Sequence, residues 1–375
     1  MEIPLSNPDI TDLELDYVHH VLKTPHLSLG PILTKFEESF ANFIGSRFAV
    51  AVNSGTSALH LVVRSLGISE GDLVLTTPFS FVASSNCLLF ERAKPVFVDI
   101  DPFTYNIDPP KIEQTIKSLG SNALNVKAIL PVHVFGTPCD MKPIIDIAEK
   151  YNLQIIEDAC EAMGSTYEGK RVGTFGNAGV FAFYPNKQIT TGEGGMIVTD
   201  DEKTARICRS LRNQGRSEDG AWLAHERLGY NYRLSDINCA LGLAQLERID
   251  EILEKRVHVA MLYHRKLKDV NGIYTPYSSC DGAISWFVYV VRLADQYSKR
   301  DRDAILVALR SKGIGCNNYF SPIHLQPLYQ RKFSYKEGDF PITEHVAKRT
   351  IALPFYNNLT EDQVDYVVQE LKKVL

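Results

Sequence analysis

The stretch Phe181-Ala182-Phe183-Tyr184-Pro185-Asn186-Lys187-Gln188-Ile189-Thr190-Thr191-Gly192-Glu193-Gly194-Gly195 joins two apolar runs and sets a lysine between them. Val180 to Tyr184 reads as a short buried strand, which Pro185 ends because proline has no N–H to give a ladder. A glycine-rich turn follows, and Met196 to Asp200 reads as a second strand. Lys187 is therefore held just past a strand, between a proline and a tight turn. Two readings fit. One is a solvated loop lysine beside a hairpin. The other is an amine fixed and partly desolvated for Schiff-base chemistry at a carbonyl carbon.

Toward the N-terminus, strands and helices alternate. Phe48 to Val52, Leu73 to Thr76, Pro95 to Asp99, Val126 to Val134 and Leu153 to Glu157 read as strands. Between them Ala58 to Leu66, Phe81 to Arg92, Pro110 to Leu119 and Pro143 to Tyr151 read as helices. This alternation predicts β-α-β crossovers and a mainly parallel central sheet flanked by helices, with strands buried on both faces. Ahead of it, Leu33 to Ile44 puts Phe36, Phe40 and Phe43 on one helical face. Toward the C-terminus the alternation stops. Glu202 to Gln214 reads as a helix, followed by a polar loop over residues 215–226. One long helical stretch is predicted from Ser235 to about Leu267. A strand (Trp286 to Leu293) and two helices (Arg300 to Ser311, Glu361 to Val374) complete a smaller α+β region. The expected division is a large α/β domain over residues 1–250 and a small C-terminal domain over 251–375.

The 375 residues suffice for a large core. The chain is 45% hydrophobic and 23% charged with a net charge of −5, which does not point to a nucleic-acid partner, since such a partner favours a basic face. No apolar run has the length of a membrane span, and residues 1–5 lack a signal peptide's basic and apolar regions, so a cytoplasmic location is expected. The seven cysteines are scattered without a C-x-x-C pair, which predicts reduced thiols rather than disulfides or a metal site.

Asn53-Ser54-Gly55-Thr56-Ser57-Ala58-Leu59-His60 follows a strand and opens a helix. Free N–H groups at a helix start, a glycine that permits close approach and two hydroxyls suit a phosphate. The same residues also suit an ordinary N-cap. Neither a P-loop nor a G-x-G-x-x-G fingerprint is present. Asp158, in Ile155-Ile156-Glu157-Asp158-Ala159-Cys160-Glu161, falls at a strand's C-terminal end, where ligands bind in open α/β sheets. A carboxylate buried there needs a cation, such as a protonated pyridine nitrogen, unless it merely caps the next segment. Phe81 lies at the same edge and could stack on a flat ring, or be core. A lysine amine, a phosphate cup, an acid for a ring nitrogen and an aromatic face together match the needs of pyridoxal 5′-phosphate.

These motifs carry a resemblance. With Ile3-Pro4-Leu5-Ser6, Gly229-Tyr230-Asn231-Tyr232-Arg233, His324-Leu325-Gln326-Pro327 and Leu353-Pro354-Phe355-Tyr356, the chain resembles the DegT/DnrJ/EryC1/StrS sugar aminotransferases, of fold type I, nearly end to end. The resemblance implies that Lys187 is the Schiff-base lysine and proton shuttle, and that Asp158 pairs with the pyridine nitrogen. It puts Glu161, often glutamine in relatives, near the ring hydroxyl. Gly55, Thr56 and Ser57 would hold the phosphate, and Phe81 would stack on the ring. Asn231 would reach the phosphate in a neighbouring subunit, making the active unit a homodimer with shared sites. Ser28, Tyr184 and His324 would face a nucleotide-linked keto-sugar, with glutamate the expected amino donor. Many relatives have a phosphate-binding serine where this chain has Ala182. Dehydratases of the family replace the lysine by histidine, so Lys187 favours transamination. A dehydratase, a cyclitol aminotransferase and a non-catalytic regulator on this fold remain the alternatives. The resemblance leaves open which sugar, nucleotide and keto position are used.

Overall fold

The computed structural model describes residues 2–217, 224–277 and 282–375. Part of the 215–226 loop, and Cys280, therefore lie outside the described residues. Seven strands form the main sheet: β1 (Phe48–Val52), β2 (Leu73–Thr76), β3 (Lys94–Phe97), β4 (Val126–Leu130), β5 (Gln154–Asp158), β6 (Ala178–Ala182) and β7 (Gly195–Thr199). Their order across the sheet is β1-β7-β6-β5-β4-β2-β3. The pairs β2–β3, β2–β4, β4–β5 and β5–β6 are parallel, while β7 runs antiparallel to both β1 and β6. Since β7 alone is reversed, the C-terminal ends of the other six strands share one edge. That edge is where motifs more than a hundred residues apart meet.

Alternating residues of the central strands go to opposite faces, as the two-residue strand period requires. Val50, Val52, Val180 and Ile197 pack with Ala58, Leu59 and Val62 of the helix Gly55–Ser65. Ala49, Ala51, Phe181 and Met196 pack against Phe36 and Phe40 of the helix Pro31–Ile44 and Leu243 of the helix Asp236–Glu247. The sheet is thus covered on both faces, and its strands carry apolar residues at nearly every position.

The predicted helix from Ser235 to Leu267 is two helices, Asp236–Glu247 and Ile249–Leu267, meeting at Arg248 (φ −101°, ψ 11°). At this corner the Arg248 guanidinium bonds Glu14 at 2.8 Å, Glu251 at 3.1 Å and Asp9 at 3.3 Å, which ties the break to the N-terminal segment. The second helix starts with Ile249 and Ile252 in the large core and ends with Val259, Leu262 and Tyr263 in a separate core. That core covers an antiparallel sheet of Ile273–Tyr274, Tyr289–Leu293 and Thr350–Leu353, and includes Ile3, which pairs with Ile314. No helix among the described residues is long and apolar enough to cross a membrane.

Candidate active site

Beyond β6 the chain folds back to β7 around Phe183. The Phe183 N–H donates to Gly194 O at 2.9 Å, and the Phe183 carbonyl accepts from Thr191 N and Thr190 Oγ1 at 3.0 Å each. Gly192 turns the chain with φ 79°, a left-handed conformation that costs glycine no Cβ clash. Lys187 sits within this loop, its N–H on Tyr184 O at 2.9 Å. Its carbonyl accepts from buried Arg256 at 2.9 Å, and the same guanidinium reaches the carbonyls of Trp286 and Phe287 at 3.2 Å. Burial pulls Arg256 down to about 10, which leaves it charged at neutral pH. With its backbone so fixed, Lys187 places Nζ 3.9 Å from the centre of the Phe287 ring and 3.6 Å from Glu161 Oε1.

Strand alternation separates the consecutive carboxylates of β5. Glu157 turns away from the cavity and accepts from the N–H groups of Gly173, Phe175 and Gly176, at 2.6 to 2.9 Å. Asp158 faces the cavity. Its Oδ2 accepts from Ser84 Oγ at 2.7 Å and its Oδ1 from the Cys160 N–H at 3.2 Å. Both donors are neutral, so the buried charge still calls for a cation. Glu161 accepts from the Phe135 N–H at 2.9 Å. Burial, with Lys187 and that N–H opposing it, raises the Glu161 carboxyl above its ordinary value. Burial, and then Asp158, pushes the Cys160 thiol well up, so it stays neutral.

Ser54 caps the helix Gly55–Ser65, its Oγ accepting from Ser57 N at 3.1 Å. Helix geometry leaves the N–H groups of Gly55 and Thr56 without intrahelical partners. Gly55, Thr56, Phe81, Asp158, Glu161, Tyr184 and Lys187 all line one cavity of about 500 Å³. Phe81 is 61% exposed there, ahead of the helix that was expected to contain it and that starts at Ala83. Tyr184 lies beyond the end of β6, on the loop at the cavity's mouth. The sequence reading missed the far wall, Phe287, Tyr319 and Phe320, with Phe287 and Tyr319 stacked at 6.4 Å and 4°. It also missed Ser84, Asn186 and Cys160. Asn186 Oδ1 is buried without a hydrogen-bond partner among the described residues.

Four expected residues stand outside the lining. Ser57 is buried and its hydroxyl accepts from Ser54 Oγ at 2.9 Å, so it braces the cup rather than facing it. His324 is wholly buried, bonded to Glu344 at 3.0 Å and packed on the Phe340 ring, and it does not reach the cavity. The reading of it as a residue facing the sugar is corrected on that ground. Ser28 is exposed in a bridge with Ser235, also away from the lining. Asn231 is exposed and lies outside its own chain's cavity.

These residues fit pyridoxal 5′-phosphate. A partly buried lysine amine, an under-compensated carboxylate and free N–H groups at a helix start face one space, which a flat phosphorylated ring would fill. Gly55 is essential to that shape. A Cβ on it would meet Ala182 Cβ at 2.7 Å and Cys160 Sγ at 3.1 Å. Gly55→Ala should therefore displace the cup at a cost of about 1–3 kcal/mol. Cofactor affinity, read by absorbance titration of the apoenzyme, should fall roughly tenfold or more. Adding Ala182→Gly removes the closer clash and should restore most of that loss. Equal affinity for the single variant and the unaltered protein would show that the cup does not depend on this contact.

The DegT/DnrJ/EryC1/StrS aminotransferase family matches residues 8–372. GDP-perosamine synthase of Caulobacter vibrioides is 39% identical over 375 residues, covering 100% of this chain and 98% of that protein. The spore coat polysaccharide biosynthesis protein SpsC of Bacillus subtilis is 37% identical over 383 residues, covering 100% and 97%. The solved structure of Helicobacter pylori PseC, an aminotransferase of pseudoaminic acid biosynthesis, superposes with a TM-score of 0.93 at 29% identity, covering 100% and 99%. Similarity sustained along the whole chain at this level supports one conclusion: the chain belongs to the DegT/DnrJ/EryC1/StrS aminotransferase family and is a pyridoxal-phosphate-dependent sugar aminotransferase.

Proposed function

We propose that this enzyme moves an amino group from glutamate to the keto carbon of a nucleotide-linked sugar, in the cytoplasm, as a homodimer with shared active sites. The observation that carries the reading is the Lys187 amine, set between the Phe287 ring and Glu161 in a cavity that also presents Asp158 and the Gly55–Thr56 helix start. The name of GDP-perosamine synthase supports a nucleotide-linked sugar, and that of SpsC a polysaccharide as the product's destination. The division into lobes 1–250 and 251–375 would put the site between them, since Phe287, Tyr319 and Phe320 come from the second.

When bound, the cofactor supplies an electron sink for a substrate carbon that loses a proton. Lys187 Nζ would anchor it and, once released, carry a proton from the donor's α-carbon and return one to the sugar carbon. Asp158, oriented by Ser84 and the Cys160 N–H, would hold a proton on the ring nitrogen. Gly55 and Thr56 would bind the phosphate through their N–H groups, Phe81 would cover the ring face, and Phe287 and Tyr319 would exclude water.

Asn231 of the partner subunit would complete the phosphate site, where Ala182 offers no hydroxyl. Its place outside its own chain's cavity supports a role in trans. Losing a hydrogen bond to a charged phosphate should cost roughly 1.5–3 kcal/mol, or about ten- to a hundredfold in cofactor affinity. Once Asn231→Ala is shown to be strongly impaired, it is mixed with Lys187→Ala after dissociation and reassociation. If Asn231 acts in trans, both lesions fall on one site of the mixed dimer and activity returns well above either parent. No recovery in dimers shown to be mixed would assign Asn231 to its own subunit.

A further inference from the structure

A half-buried cluster outside the cavity joins the phosphate helix to the segment that carries Asn231. Glu91, at the end of the helix Ala83–Phe90, is its hub. It accepts from His60 Nε2 at 2.8 Å, from Arg64 Nη1 at 3.0 and 2.9 Å, and from Tyr230 O–H at 3.3 Å. The other nitrogen of His60 lies 3.3 Å from Tyr232 O–H. Burial lowers His60 from its ordinary value, so it is neutral at neutral pH. Its Nε2–H then donates to Glu91, and its Nδ1 accepts from Tyr232. Burial opposes the charge on Glu91, yet the bonds from His60 and Arg64 hold its carboxyl below the usual range.

Residues 230–233 run extended along residues 211–214 and the end of β1. Tyr230 N–H donates to Leu211 O at 2.7 Å, Tyr232 N–H to Arg212 O at 2.9 Å, and Asn53 N–H to Tyr232 O at 2.9 Å. On an extended segment, residues two apart share a face. Tyr230 and Tyr232 accordingly stack at 4.9 Å and 11°, both turned into the Glu91 cluster. The exposed residue between them, Asn231, is presented the opposite way.

We infer that the His60–Arg64–Glu91 cluster is a positioning device: it grips the two tyrosine hydroxyls and so sets Asn231 for the phosphate site of the second subunit. Glu91 and its partners lie outside the lining of their own chain's cavity. Disturbing them is expected to act on the other subunit's cofactor. The inference rests on Asn231 acting in trans, and the test separates the two.

Dimers are assembled from differently tagged subunits, loaded with pyridoxal 5′-phosphate and diluted, and loss of the Schiff-base absorbance is followed. In the first, a Glu91→Ala/Lys187→Ala subunit is paired with an unaltered one, so only the unaltered subunit binds covalently. Its Asn231 contact comes from the altered subunit, and the cofactor should leave about tenfold faster than normal. In the second, Glu91→Ala is paired with Lys187→Ala. The cofactor sits on the Glu91→Ala subunit, served by an intact cluster, and should leave at the normal rate. A reversed pattern, or equal rates in both dimers, would overturn the inference. Tyr230→Phe/Tyr232→Phe keeps the ring stack and removes only the two hydroxyl tethers. It should give the same pattern, and it replaces Glu91→Ala if that variant does not assemble. If Asn231→Ala releases cofactor quickly while both cluster variants keep it, the positioning role alone falls. If Asn231→Ala keeps its cofactor, the trans reading and this inference fall together.

Discussion

Lys187→Ala should leave a folded protein that transfers no amino group. The lysine would have two tasks, to anchor the cofactor and to carry the proton, and among the described residues the cavity lining offers no second lysine for either. Loss of a positioned proton carrier alone typically removes up to about 10⁴-fold in rate. Loss of the covalent anchor adds to this, so turnover should fall by at least roughly that factor. The fold should survive. Removing the amine leaves Glu161 without its cation, but burial already raises that carboxyl above its ordinary value, which makes the neutral acid accessible. Thermal unfolding should thus shift modestly while activity disappears. Borohydride reduction of the unaltered enzyme, followed by peptide mapping, should find the adduct on Lys187. An adduct on Lys170, whose amine is bonded to Thr174 O at 2.7 Å on the surface, or on exposed Lys127, would contradict the assignment.

Asp158→Asn should be nearly as severe and for a different reason. The geometry can be kept. The substituted amide can accept from the Cys160 N–H through its carbonyl oxygen and donate to Ser84 Oγ, because the Ser84 hydroxyl has an alternative acceptor in Phe81 O at 3.2 Å. What is lost is the charge that would hold a proton on the ring nitrogen. Losing about 4 kcal/mol of transition-state stabilisation lowers the rate about a thousandfold. The defect should appear in kcat, with cofactor still bound and the Schiff base still formed. Near-normal turnover in Asp158→Asn would remove Asp158 from this role.

The parts of this site that could be read from sequence are those built from local pattern. The run from Val180 through Met196 showed a strand, a stop, a lysine and a turn, because proline and glycine act on the backbone where they stand. Gly55 and Asp158 were legible because strand ends before a turn are marked by composition. Phe287, Tyr319 and Phe320 were not, since they reach the cavity only when the second sheet folds against the first. Arg256 was invisible for the same reason: its three carbonyl partners lie 30 or more residues away. His324 was misread because nothing near it in sequence shows Glu344, the partner that keeps it buried. Ser57 was misread because a hydroxyl at a helix start serves a cap as readily as a phosphate. The break at Arg248 was hidden in a continuous helical pattern, and it needs Asp9 and Glu14 from the opposite end of the chain. The helices Pro327–Phe333 and Pro341–Ala347 were missed because seven residues scarcely display a period.

Amino transfer through Lys187 takes two steps, and each half-reaction can be followed by itself. The purified enzyme, loaded with pyridoxal 5′-phosphate, is mixed with L-glutamate without any sugar, and its absorbance is followed. The Schiff-base band should disappear as one equivalent of 2-oxoglutarate forms per site, and should return when a nucleotide-linked keto-sugar is added, with an amino sugar released. A band that glutamate and other amino donors leave unchanged, in an enzyme that still consumes a nucleotide-linked sugar, would rule out this amino transfer and favour dehydration.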